Sequence, residues 1–205
     1  MTAAPEAVLV LGDSVPGGAV TSATAWPRRV ADRAGAALHT RGSMGTTMVD
    51  LADGTAAALQ EALPGEDREG TPGGSGGGTV ALVHAGHNDA QLRDDEPRVA
   101  ESEFRAAART VDERLTDAAA VDRHAFLGLV PLLSLESGGV GFSEAQPERA
   151  LTYDRALGET VATHLPVAEP VEAWRERTAD GVHPSEAGHA ALADRVTAWL
   201  EDGRC

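Results

Sequence analysis

Apolar positions along the chain follow two rhythms. Short unbroken runs at 7–11 (AVLVL), 36–39, 79–85, 125–130 and 166–168 have the length of strands. A strand whose residues are apolar without alternation is one covered on both faces. Between these runs apolar residues return at helical spacing: from about 25 to 34, with Trp26, Val30 and Ala34 on one face, and from about 48 to 63. The same spacing recurs over 97–121, where Val99, Phe104, Ala107, Val111 and Leu115 form a stripe. Three further helical stretches follow, at 147–164, at 171–177 and at 185–200. Strands alternating with helices predict an α/β fold. The specific expectation is a three-layer α/β/α sandwich around a flavodoxin-like, five-stranded parallel sheet in the order 2-1-3-4-5.

Two stretches interrupt this rhythm. Residues 65–78 (GEDREGTPGGSGGG) carry almost no apolar content and read as a flexible surface connection. Residues 132–146 form a loop with Gly138, Gly139 and Gly141 beside Val140 and Phe142, long for a compact domain. Neither divides the composition, so residues 1–205 are expected to form one domain.

Each strand hands over to a small polar motif. Residues 7–11 run into Gly12-Asp13-Ser14; the second strand runs into the loop 41–47, with Gly42 and Gly45; the third ends in Gly86-His87-Asn88-Asp89. Near the end, Asp180-Gly181-Val182-His183-Pro184 precedes the final helix. Ligands of an open parallel sheet bind beyond the carboxyl ends of its strands, so these motifs converge on one edge. A serine hydroxyl needs a base to become a nucleophile, and the base needs an acceptor that fixes its tautomer. Ser14, His183 and Asp180 supply those three parts. The tetrahedral intermediate needs donors aimed at its oxyanion, for which the N–H groups of Ser14 and Gly45 and the side-chain amide of Asn88 are the candidates. Thr46 or Thr47 can cap the helix that follows Gly45.

Taken together and in this order, the Gly-Asp-Ser, Gly45, Gly-His-Asn-Asp and Asp-Gly-Val-His-Pro blocks resemble those of the SGNH hydrolases, also called GDSL esterases and lipases. Ala25-Trp26-Pro27, and Leu92-Arg93 after Asn88-Asp89, are similar to the bacterial acyl-thioesterase/lysophospholipase members. The resemblance implies Ser14 as nucleophile, His183 as base, Asp180 as its partner, and Gly45 and Asn88 as oxyanion donors with Ser14. Two positions depart from the family pattern: Val15 replaces a leucine, and Thr40 stands where many members carry asparagine. Gly45 rather than Gly42 is selected because it lies five positions after Thr40, the family's usual asparagine-to-glycine interval. The implied reaction is hydrolysis of an ester or thioester through a serine acyl-enzyme, with no cofactor; an acyltransferase using the same acyl-enzyme is the alternative.

Charge narrows the partners. The chain has 17 basic residues, all arginine, against 32 carboxylates, a formal charge of −15. Such a field repels phosphate backbones and anionic bilayers, so neither nucleic acid nor a membrane is expected as partner, and a small-molecule ester is. The oligomeric state is left open. Cys205 is the only cysteine, the N-terminal apolar run is too short for a signal peptide and no run spans a membrane, so a soluble cytoplasmic protein is expected.

Rival chemistries fare worse. His84, His87 and Asp89, with Asp13, suggest a metal-dependent phosphoesterase, but such enzymes carry a D-x-H pair after the first strand, where this chain has Gly-Asp-Ser; no metal is expected. Gly12 to Gly17 has P-loop spacing without the required lysine. Pro16 breaks the G-x-S-x-G elbow of ordinary α/β-hydrolases. His189, beside Leu192 and Val196, reads as packing. For the acyl group, Leu132 and Phe142 are one candidate wall, with packing under the next helix as the competing reading; Val15, Met44 and Leu92 are the other candidates. With three Trp, three Phe and one Tyr, a sugar-stacking platform is not expected, and a small acyl ester or O-acetyl group is favoured.

Overall fold

The structure, a computed structural model, describes residues 4–18, 22–62, 78–93, 96–133 and 146–202. The glycine-rich connection before Gly78 and the part of the 132–146 loop that contains Phe142 lie outside the described residues.

Five strands form one parallel sheet: β1 (Ala7–Gly12), β2 (Ala37–Gly42), β3 (Thr79–His84), β4 (Val121–Leu127) and β5 (His164–Leu165). Their order is β2-β1-β3-β4-β5, as the alternation predicts. Helices α1 (Trp26–Ala34), α2 (Met48–Ala62), the single turn α3 (His87–Ala90), α4 (Glu101–Asp117), α5 (Gln146–Gly158), the short α6 (Trp174–Arg177) and α7 (Glu186–Asp202) connect and cover it.

The sheet separates two apolar layers, because alternate residues of each strand point to opposite faces. Leu9, Leu11, Ala81, Val83 and Phe126 pack with Met48 and Leu51 of α2, Phe104, Val111 and Leu115 of α4, and Tyr153 and Leu157 of α5. Val8, Val10, Leu82, Ala125 and Leu127 pack on the other side with Trp26 and Val30 of α1, and Leu192, Val196 and Leu200 of α7. Each such large side chain removed from water contributes about 1.5–3 kcal/mol. This two-sided burial is what makes β1 and β3 continuous apolar runs.

Several boundaries differ from expectation. Helix α4 starts at Glu101, because Glu96–Pro97 pairs in a short antiparallel ladder with Leu92–Arg93. It ends at Asp117, and Val121 already belongs to β4. Helix α5 stops at Gly158, which frees His164–Leu165 to form β5, ahead of the expected 166–168.

Register places the functional loops. Gly12 is paired with Gly42 on one side and His84 on the other, so β1, β2 and β3 end at one level. Ser14, Gly45 and Asn88 then leave from adjacent strand ends.

Candidate active site

Ser14 follows β1 in a turn fixed by its neighbour: the Asp13 carboxylate accepts the Val15 N–H at 2.8 Å. The Ser14 Oγ lies 3.0 Å from Nε2 of His183. On the far side of that ring, Nδ1 lies 2.8 Å from Oδ2 of Asp180. A carboxylate can only accept, so the Nδ1 proton faces Asp180 and the Nε2 lone pair faces the serine hydroxyl. The other Asp180 oxygen accepts the backbone N–H groups of Val182 (3.0 Å) and His183 (2.8 Å). Burial alone raises the Asp180 pKa, but the hydrogen bonds from the His183 ring and from these two N–H groups outweigh it and hold the carboxyl below its usual value. Asp180 is thus ionised wherever a neutral imidazole is present to be oriented.

The loop carrying this pair is tied down from both ends. Ala179 N–H donates to His183 O at 2.8 Å and Ser185 N–H to Arg177 O at 2.8 Å. Leu133 N–H, just past β4, donates to Gly181 O at 2.8 Å. The Ser185 hydroxyl caps α7 by accepting Gly188 N–H at 3.4 Å.

On the other side of Ser14, the loop 43–47 closes on itself, with Thr46 N–H donating to Ser43 O at 3.2 Å and Gly45 at φ +84°. Thr47, not Thr46, caps α2: its hydroxyl accepts Asp50 N–H at 3.1 Å while the Asp50 carboxylate accepts Thr47 N–H at 2.8 Å. Gly42 is the last residue of β2 rather than part of this loop. The Asn88 amide reaches across and donates to Thr46 O at 2.9 Å, which leaves its second N–H for another acceptor. Asp89, buried, accepts the Met48 N–H at 3.0 Å at the start of α2. Burial, against the pull of that hydrogen bond, pushes the Asp89 pKa up to about 7.

Asp13, His84, His87 and Asp89 do not converge as a ligand set. Among the described residues no group of three or more His, Cys, Asp or Glu side chains could hold a metal ion. His84 donates Nε2–H to Gly128 O at 3.1 Å, and its complete burial drives its pKa well down, so it is neutral. His87 is bonded to Asp13 at 2.9 Å and to Val130 N–H at 3.1 Å. These are the residues whose partnership sequence reasoning missed. The one signal available was their position, next to Ser14 and Asn88. His189 is buried and accepts Trp26 N–H at 3.3 Å, a packing and tethering role for α1 on α7.

Val15 and Leu132 are fully buried, Leu132 in a small cluster with Ala150 and Val182 of the His183 loop. Leu92 is nearly buried and Met44 is 75% exposed. Phe142 lies outside the described residues.

A sequence model of the GDSL-like lipase/acylhydrolase family matches residues 10–191. The chain belongs to the GDSL-like lipase/acylhydrolase family. This GDSL chain is accordingly a serine-type carboxylic ester hydrolase. Its fold recurs in LAE5, an alpha/beta hydrolase enzyme from the metagenome of Lake Arreo, Spain, at 16% identity over 97% of this chain and 96% of that one, with a TM-score of 0.68. It recurs in the acetyl xylan esterase AlAXEase, at 13% identity, 94% and 98% coverage and a TM-score of 0.70. A catalytic mutant of Axe2, an acetylxylan esterase from Geobacillus stearothermophilus, shares 17% identity over 98% and 96%, with a TM-score of 0.71. No curated protein matches the chain in sequence. Among the described residues no helix is long and apolar enough to cross a membrane.

Proposed function

We propose that the chain hydrolyses small acyl esters, O-acetyl groups foremost, with Ser14 as nucleophile, His183 as general base and Asp180 as its orienting partner. The observation that carries this reading is the relay Ser14 Oγ, His183 Nε2 at 3.0 Å, and His183 Nδ1, Asp180 Oδ2 at 2.8 Å. Ser14 Oγ attacks the ester carbonyl as its proton passes to His183 Nε2. The oxyanion is held by the N–H groups of Ser14 and Gly45 and the free N–H of the Asn88 amide. Collapse expels the alcohol, which takes the proton from His183. Water, deprotonated by the same ring, then cleaves the acyl-enzyme and regenerates Ser14.

A small substrate is supported from two sides. Trp26, Trp174, Phe104, Phe126 and Tyr153 are all buried, which leaves few rings for a sugar platform. Two of the proteins similar in fold are named as acetylxylan esterases, which supports the acetyl group as the acyl part. The test is intact mass after a fluorophosphonate, together with rates on p-nitrophenyl esters of graded chain length. Expected are one adduct on the wild type, none on Ser14→Ala, and the highest kcat/KM on acetate. Labelling that persists in Ser14→Ala, or activity that survives this substitution and disappears with EDTA, overturns the assignment.

A further inference from the structure

The Asp13–His87 pair lies outside the proposed relay, yet it touches both of its sides. Asp13 precedes Ser14, and His87 precedes Asn88. Both side chains are withdrawn from water, at 0% and 2% exposure, and their contact measures 2.9 Å. Val130 N–H, which can only donate, points at His87 Nε2 at 3.1 Å. Nε2 therefore accepts, and the ring proton sits on Nδ1, facing the Asp13 carboxylate. The ring is further held edge-on by neutral His84, with centroids 5.0 Å apart at 72°.

These bonds complete a circuit. From Ser14 it runs through Asp13 to His87, and from His87 to Val130. Three residues on, Leu133 N–H holds Gly181 O at 2.8 Å in the loop of His183, whose ring returns to Ser14 at 3.0 Å. His87 is the one side chain in the circuit that joins the nucleophile turn to the segment supporting the base. By its place in α3 it also sets the origin of the Asn88 amide, which reaches Thr46 O.

We propose that His87 is a positioning residue: in its Nδ1–H form it holds Ser14, Asn88 and the His183 loop in mutual register. The proposal rests on the reading of Ser14, His183 and Asn88 given above. Displacements near 1 Å cost reaction rate by about 10²-fold, while binding of a small ester changes little.

Three variants test it on p-nitrophenyl acetate. His87→Phe keeps the ring volume and loses both polar atoms; kcat should fall about 10²-fold with KM within threefold, and fluorophosphonate labelling should slow in parallel. His87→Gln offers a donor and an acceptor at the ends of one amide and should recover kcat to within tenfold of wild type. His87→Asn retains the donor to Asp13 without an acceptor for Val130; it should lie between the two, and it stands in for the Phe variant if that chain does not fold. A long-range proton–nitrogen NMR correlation on wild type should show His87 protonated at Nδ1. Wild-type kcat in the Phe or Asn variant, a Gln variant no better than Phe, or an Nε2–H tautomer overturns the proposal. Wild type that neither turns over ester nor takes the label fails the underlying reading instead.

Discussion

Gly42 offers the sharpest test of how the sheet positions Ser14. It has φ +125° and is paired with Gly12, two residues before Ser14. A Cβ at Gly42 would lie 1.7 Å from the Gly12 carbonyl oxygen and 2.7 Å from its carbon. Ordinary carbon–oxygen contacts begin near 3.3 Å, so Gly42→Ala must part the ends of β1 and β2 by about 1.5 Å. Strain at a positive φ adds about 1–2 kcal/mol and overpacking about 1–3 kcal/mol. At roughly 2–4 °C per kcal/mol for a chain of this size, Tm should fall by about 4–20 °C. A shift of that size at Gly12 is carried into the Ser14 turn, so kcat on p-nitrophenyl acetate should drop at least ~10²-fold. Gly45→Ala is the control for stability, because among the described residues its added Cβ meets, beyond its chain neighbours, the Arg98 guanidinium at 3.9 Å. With φ +84° it bears the conformational cost of about 1–2 kcal/mol alone, so its Tm should fall less than that of Gly42→Ala. Thermal unfolding and initial rates on both variants decide the matter. If Gly42→Ala melts within 2 °C of wild type with kcat within about twofold, or Gly45→Ala is the less stable of the two, the register argument is wrong.

Two further outcomes follow from the site. Asn88→Ala should lower kcat about 10²–10³-fold with KM little changed, because an oxyanion donor acts where charge develops; a change in KM alone would reassign Asn88 to ground-state binding. Asp89, with its pKa raised from 3.8 to about 7, binds its proton more tightly folded than unfolded, so its contribution to stability is complete below 3.8 and is lost as pH rises to about 7. At 1.36 kcal/mol per pH unit that is roughly 4 kcal/mol, and Asp89→Asn should gain stability relative to wild type by about this amount between pH 4 and pH 8 in urea unfolding. Parallel stability curves for the two proteins would contradict it.

The sheet order and the central strands were legible because burial on both faces leaves a mark that periodicity detects. The outer parts were not. Strand β4 opens with Val121-Asp122-Arg123-His124, only partly covered, so its first half carries no apolar run, and the alanines at 118–120 extend a helical pattern past the point where the chain turns. Strand β5 is two residues long, too short for any period to register. In the site, Ser14, His183 and Asp180 were legible because each sits at a strand end or beside the last helix within a short motif. The Asp13–His87 bond was not, since it joins positions 74 residues apart and no local pattern encodes a partner at that distance. The same holds for Asp89 under α2, which in sequence is one more carboxylate of an acidic chain.

The separation between Ser14 and His183, 169 residues, has a consequence for how the enzyme comes into being. On the proposed assignment nucleophile and base lie that far apart in sequence, and α1 and α7 meet through Trp26 and His189 on the same face of the sheet. Closing so long a loop is entropically costly early in folding, when few contacts reward it. A nascent chain can therefore complete β1, β3 and their helices while remaining catalytically silent. On that assignment hydrolytic competence arrives only when α7 and the loop before it dock, so Ser14 stays without His183 until the rest of the molecule is in place.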